Sequence, residues 1–318
     1  MDNVSKSISA DLGPLSGSDF LSSSALNFAQ TNALIDLAFQ LKNNERRIDL
    51  GNRTLGLIFT KASTRTRVSF QVAMARLGGQ TIDLNPQASQ LGRGEALKDT
   101  ARVLSRYCDA LAIRTYAQEE LIEYAKWSSI PVINALTDLE HPCQVLADFM
   151  TMREAFGSLQ GQTITYIGDG NNVANSIMLC GAILGVNVRI TSPKGFEPPI
   201  SIVEKAHSLA NFGSTIEVLN DPVMAVKGAN AIYTDVWSSM GQEEEQLKRK
   251  KIFEKYVVTQ NLLESADKGV ILLHCLPAHR GEEITETALE SSYSKIFDQA
   301  ENRLHVQQSL LAAQLGGL

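Results

Sequence analysis

The chain has 318 residues, enough for two domains that each bury a core, since single domains usually hold about 100 to 200 residues. Hydrophobic residues make up 44% and charged residues 20%, as in an ordinary soluble globular protein. The formal net charge of −6 argues against general nucleic-acid binding, so any anion site must be local.

The N-terminal segment, MDNVSKSISADLGPLSGSDF, has neither an apolar signal core nor an arginine-rich amphipathic pattern. We interpret it as a short polar tail on a cytoplasmic protein. No apolar run approaches the roughly 20 residues that are needed to span a bilayer. The cysteines lack CxxC spacing, which argues against a disulfide framework or a zinc knuckle; they are Cys108, Cys143, Cys180 and Cys275.

Helices and strands alternate along the first half of the chain. Apolar residues at helical spacing predict a helix within 23–44, and short apolar runs predict strands at 54–60, 80–86, 109–115 and 130–136. Helices are predicted between these strands, at 67–79, 94–107 and 117–129. This alternation implies right-handed crossovers and a parallel sheet.

A helix at 146–159 leads to a second alternation, with strands at 163–169, 187–193, 214–220, 230–236 and 269–275 and a closing helix at 303–315. The predicted fold class is therefore α/β, with two lobes that are each a mostly parallel sheet flanked by helices, and an active site in the cleft between them. We expect a first domain at 1–145 and a second at 146–292. Residues 293–318 would return to the first domain.

Polar side chains follow three strands of the first lobe. The stretch STRTR, Ser63 to Arg67, stands at a strand-to-helix turn, where free backbone N–H groups and the helix dipole attract an anion and arginine grips phosphate oxygens. Arg114 ends a later strand, and His141 and Gln144 follow another. Together these residues offer cations for a phosphate, a donor for a carbonyl oxygen and an amide that reads an NH₂ group.

In the second lobe, TITYIGDGNNVANS imitates a dinucleotide-binding fingerprint. Its third glycine position is Val173, and the next strand ends without the acidic residue that would hold a ribose. We therefore assign this turn to another polar ligand, with Asn171 and Asn172 as candidate side chains.

Two later stretches also end strands in polar residues. Asp235 follows one strand, and His274 and Cys275 end another, with His279 nearby. The spacing of these histidines and the cysteine fits no common zinc motif. Glu243 to Glu245 fit the solvated start of a helix.

Five stretches, in this order, resemble one known family: STRTRVSF, HPCQ, DGNNVANS, DVWSSMGQEEE and HCLPAHRGEEI. From about Asp19 to the C-terminus the chain is similar to the ornithine branch of the aspartate/ornithine carbamoyltransferase family. The first two stretches are shared by the wider family and imply carbamoyl phosphate as the donor, whereas HCLP matches the ornithine branch.

The resemblance implies a carbamoyl-phosphate site formed by Ser63, Thr64, Arg65, Thr66, Gln90, Arg114, His141, Gln144, Cys275, Leu276 and Arg303. The hydroxyls and arginines of the first lobe would bind the phosphate, His141 the carbonyl oxygen and Gln144 the amide. The backbone at Cys275 and Leu276 would touch the carbamoyl group. Gln90 would reach into a neighbouring subunit's site, which implies a homo-oligomer, specifically a trimer.

The resemblance also implies that L-ornithine is bound by Asn172, Asp235, Ser239 and Met240. Ornithine's side-chain amine has a lysine-like pKa near 10, so only roughly one molecule in a thousand is the nucleophilic free base at neutral pH. Asp235 and Cys275 would be catalytic, orienting the amine and helping to remove its proton. Carbamoyl phosphate is already activated, so neither a metal nor an organic cofactor is needed. The products would be L-citrulline and phosphate, in arginine metabolism, with biosynthesis as the expected role.

Three alternatives remain open at the level of sequence. The acceptor could be putrescine or an acylated ornithine, although Asp235 and the SSMG stretch suit a free amine. A nucleotide-binding dehydrogenase built on GDGNN lacks the third glycine and the ribose-binding acid. A non-catalytic regulatory relative is disfavoured because the complete polar set is present. The same chemistry serves arginine synthesis and arginine breakdown.

Overall fold

The strands form two separate parallel sheets in the computed structural model, which describes residues 3–85, 94–237 and 243–318. The first sheet has the order β2-β1-β3-β4, formed by β1 (Thr54–Phe59), β2 (Gln80–Leu84), β3 (Ala110–Arg114) and β4 (Val132–Leu136). The second has the order β7-β6-β5-β8-β9, formed by β5 (Thr163–Ile167), β6 (Asn187–Thr191), β7 (Ile216–Leu219), β8 (Ala231–Thr234) and β9 (Ile271–His274). The predicted α/β fold with two sheets is confirmed.

Helices connect the strands along the described chain. Those around the first sheet are α1 (Asn3–Leu12), α2 (Phe28–Lys42), α3 (Thr64–Arg76), α4 (Leu97–Leu104), α5 (Gln118–Trp127) and α6 (Pro142–Phe156). The later ones are α7 (Asn172–Leu184), α8 (Ile200–Leu209), α9 (Pro222–Ala225), α10 (Glu243–Ile252), α11 (Gln260–Glu264), α12 (Glu286–Leu289) and α13 (Ile296–Gln314). Among the described helices, none is long and apolar enough to cross a membrane.

The chain divides into two compact units. The first contains 1–147 together with 302–318, and the second contains 148–301. The boundaries fall inside α6 and α13, so each of these helices contributes residues to both units.

Strand register in the first unit brings three loops to one edge of the sheet. The last residue of β1, Phe59, lies beside Arg114 at the end of β3, and Arg114 in turn pairs with Leu136 at the end of β4. Backbone and side-chain groups of Thr60 both donate hydrogen bonds to the Arg114 carbonyl oxygen, at 2.9 and 3.0 Å. The residues that follow these strands therefore emerge next to each other.

The second unit repeats this arrangement. Ile167 at the end of β5 pairs with Thr234 at the end of β8, which pairs with His274 at the end of β9. The turn after β5, the residue Asp235 and the residue Cys275 therefore emerge from three adjacent strands.

The N-terminal segment differs from the predicted polar tail, because Asn3–Leu12 form helix α1. Ile8, Leu12 and Leu15 recur at helical spacing and are all buried. The serines and glycines of this segment hid the pattern from a composition-based interpretation.

The closing helix is also longer than predicted, since α13 begins at Ile296 rather than at Arg303. Its first turns carry polar side chains on buried positions, including Gln299 and Asn302, and these interrupt the apolar periodicity that the prediction needed.

Gly170 is required by a close approach of two backbone segments rather than by a bound dinucleotide. A Cβ atom at this position would lie 2.3 Å from the Pro198 nitrogen and 2.5 Å from the Glu197 carbonyl carbon. The Gly170 N–H donates to the Phe196 carbonyl oxygen at 2.8 Å, which holds the segments together.

Replacing Gly170 with alanine should lower the free energy of unfolding by about 1–3 kcal/mol, because backbone cannot move aside as a flexible side chain can. Urea unfolding followed by circular dichroism measures this change. Gly13→Ala is the matched control, since a Cβ there has no other atom within 4 Å. Equal stabilities of the two variants would contradict the steric interpretation.

Candidate active site

The turn after β1 forms an N-terminal helix cap with exposed hydrogen-bonding groups. Ser63 is the N-cap of α3, and its side chain accepts a hydrogen bond from the Thr66 N–H at 3.2 Å. Thr64 and Arg65 lie in the first turn and are exposed. The N-terminus of α3 thus combines backbone N–H groups, two hydroxyls and a guanidinium, a set of donors that suits an anion.

Arg303 from α13 links this turn to α6. Its guanidinium is almost completely buried and donates from Nη1 to Gln144 Oε1 at 2.8 Å and from Nη2 to Thr66 Oγ1 at 2.6 Å. These bonds fix the orientations of both acceptor side chains. Residues from three distant parts of the sequence therefore meet at one buried cation in the first unit.

His141 directly precedes α6 and is buried. Burial lowers the pKa of this imidazole well below its usual range, and the positive charges of Arg303, Arg114 and Arg65 lower the pKa further. A neutral imidazole can donate one N–H to a substrate oxygen without carrying a charge of its own. The three arginines therefore lie close enough to His141 for their charges to act on its imidazole.

Glu140 anchors the loop that presents His141, a role that sequence reasoning missed. Its buried carboxylate accepts hydrogen bonds from Ser22 Oγ at 2.6 Å and from the Ser23 N–H at 2.8 Å. The Glu140 backbone pairs with Thr137, whose N–H donates to the Glu140 carbonyl at 2.9 Å. No sequence pattern predicts this contact, because Ser22 and Ser23 are more than a hundred residues away from Glu140.

Arg67, the last residue of the STRTR stretch, contacts other residues than Arg65 and Thr66 do. It forms an ion pair with Asp83 on β2, and its guanidinium lies 5.0 Å from the centre of the Phe59 ring. These contacts give Arg67 a structural role at the edge of the sheet.

In the second unit, the Asp235 carboxylate is buried and accepts hydrogen bonds on both oxygens. Oδ1 accepts from the Val236 N–H at 2.8 Å and from the Cys275 thiol at 3.0 Å, and Oδ2 accepts from Asn171 Nδ2 at 2.9 Å. The structure therefore brings together the two residues predicted to be catalytic. Asn172, predicted to bind ornithine, is the first residue of α7 and is partly buried.

The loop after β9 holds an unusual backbone conformation at Leu276, whose φ is +58°. A left-handed conformation costs a residue with a Cβ roughly 1–2 kcal/mol, so the surroundings must enforce it. The Leu276 N–H donates to His274 Nδ1 at 2.8 Å, and His274 Nε2 lies 3.0 Å from Glu283 Oε1. Both ring nitrogens of His274 are thus engaged in holding the loop, which leaves neither for a metal ion.

An ion pair between Arg249 and Asp169 lies in the same unit as Asp235. Arg249 from α10 donates to Asp169 Oδ2 at 2.5 Å and to the Trp237 carbonyl oxygen at 2.6 Å. It thereby joins the turn after β5 to the extension of β8. Three of the predicted site residues, Gln90, Ser239 and Met240, lie outside the described residues.

The lowered pKa of His141 predicts an acid sensitivity of folding. The unfolded chain takes up a proton as the pH falls through the ordinary value of 6.5, whereas the folded chain does not. The free energy of unfolding should therefore fall by up to about 1.4 kcal/mol per pH unit below about pH 6.5, until the folded-state pKa is reached.

His141→Gln should remove this contribution, so that the variant loses less stability than the parent between about pH 7 and pH 5. Urea unfolding at a series of pH values measures the difference. His207→Gln, at an exposed position, is the control and should follow the parent curve. Parallel curves for parent and His141→Gln would show that His141 does not titrate as proposed.

Both units match models of known protein domains. Residues 18–154 match the carbamoyl-P binding domain of aspartate/ornithine carbamoyltransferase, and residues 160–314 match the Asp/Orn binding domain of the same family. The chain is 70% identical to an ornithine carbamoyltransferase of Prochlorococcus marinus and 67% identical to one of Parasynechococcus marenigrum, with all of each chain covered in both comparisons.

Solved structures show the same similarity. Ornithine carbamoyltransferase from Pyrococcus furiosus superimposes with a TM-score of 0.92 at 46% identity, covering 96% of this chain and 99% of that one. The anabolic enzyme from Campylobacter jejuni gives a TM-score of 0.88 at 39% identity, covering 93% and 98%. Because two domain models span most of the sequence and relatives match it from end to end, the chain belongs to the aspartate/ornithine carbamoyltransferase family.

Proposed function

We propose that this chain transfers the carbamoyl group of carbamoyl phosphate to the side-chain amine of L-ornithine, giving L-citrulline and phosphate, in arginine biosynthesis. The observation that carries the proposal is the hydrogen bond from the Cys275 thiol to the Asp235 carboxylate, in the unit that matches the Asp/Orn binding domain. The relatives named ornithine carbamoyltransferase and the anabolic title of the Campylobacter enzyme support it.

Carbamoyl phosphate is assigned to the first unit. Ser63, Thr64 and Arg65 bind the phosphate at the N-terminus of α3 together with Arg114, and Thr66 adds a hydroxyl. His141 donates to the carbonyl oxygen and Gln144 contacts the amide. Arg303 holds Thr66 and Gln144 in place at 2.6 and 2.8 Å and adds positive charge near the carbamoyl group.

Ornithine is assigned to the second unit, with its carboxylate on Asn172 and the Met240 backbone and its α-amino group on Asp235 and Ser239. An aspartate acceptor would need cations for its additional carboxylate, whereas the groups that meet here are the carboxylate and the thiol of Asp235 and Cys275. These suit a substrate that carries positive amines.

The reaction needs a free amine and a stabilised oxyanion. Asp235 and Cys275 orient the side-chain amine and help to remove its proton as it attacks the carbonyl carbon. Arg65, Thr66 and His141 stabilise the oxyanion of the tetrahedral intermediate, and the backbone at Cys275 and Leu276 touches the carbamoyl group. Arginine contacts to the phosphate make it a better leaving group.

A colorimetric citrulline assay with carbamoyl phosphate and L-ornithine tests the proposal directly. Turnover should be high with ornithine and at least about 10³-fold lower in kcat/KM with putrescine, which lacks the carboxylate that Asn172 is assigned to bind. Acetylated and succinylated ornithine form the third arm of the comparison. Faster reaction of any of these acceptors than of ornithine would overturn the assignment.

Two neighbouring arginines allow a matched test of the phosphate site. Arg65→Ala should lower kcat by about 10²-fold or more, because it removes a donor from both phosphate and oxyanion. Arg67→Ala should leave kcat within about ten-fold, since its contacts are to Asp83 and Phe59. The citrulline assay at saturating substrate measures both variants, and equal losses would contradict the different roles.

A homotrimer in the cytoplasm is part of the same proposal. The resemblance assigns Gln90 to a neighbouring subunit's site, which makes each site dependent on assembly. Light scattering after gel filtration should therefore give about three times the chain mass of 34.7 kDa. A monomeric mass accompanied by full activity would exclude a shared site.

A further inference from the structure

Asn171 has its side-chain amide held in a single orientation. Its Oδ1 atom accepts hydrogen bonds from the Val173 and Ala174 N–H groups at 2.9 and 3.2 Å, and from the Tyr166 hydroxyl at 3.2 Å. Turning the amide over would point an NH₂ group at three donors. The orientation is therefore fixed by the hydrogen-bond partners, and Nδ2 must point the other way.

Tyr166 strengthens this constraint because it stays a donor. Its ring is buried and stacked on Tyr233, with 5.8 Å between ring centres. Burial raises the pKa of the Tyr166 hydroxyl well above its usual range, and the carboxylate of Asp235 raises it further. The hydroxyl therefore keeps its proton at neutral pH.

Asn171 Nδ2 points toward the Asp235 carboxylate. Nδ2 donates to Oδ2 at 2.9 Å, while Val236 and Cys275 donate to Oδ1 at 2.8 and 3.0 Å. Of these three donors only Asn171 contacts Oδ2. The rotation of the carboxylate about its Cβ–Cγ bond is thus set from both sides.

We infer that Asn171 is a positioning residue that orients the Asp235 carboxylate toward the acceptor amine, an inference that rests on the function proposed above. The N-cap role of Asn171 does not by itself require an amide, because serine and aspartate cap helices about equally well. An amide is needed for the combined task, since it accepts from the helix N–H groups with one atom and donates to a carboxylate with the other.

The difference between capping and positioning defines the test. Asn171→Ser keeps a capping oxygen but is too short to reach Asp235, and Asn171→Asp keeps the cap but sets a second carboxylate against the first. We expect kcat/KM for ornithine to fall by about 10²-fold in Asn171→Ser and further in Asn171→Asp, because misplacing a reacting group by about 1 Å has that effect. The melting temperature of Asn171→Ser should stay within about 2 °C of the parent.

Asn27→Ser is the matched control. Asn27 caps α2 in the first unit, where its side chain accepts from the Gln30 N–H at 2.9 Å, and it is exposed. The same substitution there should leave kcat/KM for ornithine within about two-fold. The KM for carbamoyl phosphate should also stay within about two-fold in all three variants, since the residues assigned to its phosphate lie in the first unit.

A substrate-free measurement separates this inference from the proposed function. Cys275 is the one partly exposed cysteine, and the others are buried. If Asn171 holds Asp235 against the Cys275 thiol, Asn171→Ser should free the thiol and raise its alkylation rate with iodoacetamide by about three-fold or more, whereas Asn27→Ser should not. Mass spectrometry of the labelled peptide reports this rate.

An unchanged alkylation rate together with parent-like kcat/KM in Asn171→Ser would overturn the inference and leave the proposed function intact. Activity losses that simply follow the melting temperature would also overturn it, because a cap alone explains them. A parent enzyme that makes no citrulline would refute the proposed function, while the alkylation rates would still decide whether Asn171 positions Asp235.

Discussion

Parallel strand pairing is the constraint on which the chemistry of this chain depends. Parallel strands all end at the same edge of a sheet, so residues that follow different strands become neighbours however far apart they are in sequence. In the first unit this brings the residues after β1, β3 and β4 together, and in the second unit the residues after β5, β8 and β9. These six strands are almost entirely buried, which makes their ends firm supports for polar side chains.

The polar groups at these edges are themselves fixed by buried hydrogen bonds. Arg303 would be costly to bury without acceptors, by several kcal/mol, and it donates hydrogen bonds to Thr66 and Gln144. Asp235 is satisfied by Asn171, Val236 and Cys275. Side chains that carry chemistry thus have little freedom to reorient, which lowers the reorganisation needed during a reaction.

Much of the fold was predictable because apolar periodicity is a local property. The strands and most helices of the alternating pattern lie close to their expected positions, and the order of the polar motifs identified the family. The failures have a common physical reason. Helix α1 is only ten residues long, with serines on both sides of Ile8, and α13 has buried polar side chains, so composition hides both helices.

By itself, the sequence determined the α/β class, the two sheets and the residue types available for binding an anion and an amine. Only the tertiary structure decided how those residues are oriented. It paired Arg67 with Asp83, gave Glu140 its partners at Ser22 and Ser23, and turned the Asn171 amide toward Asp235. Contacts between residues 16 to 118 positions apart depend on strand order and side-chain rotamers, which no local pattern encodes.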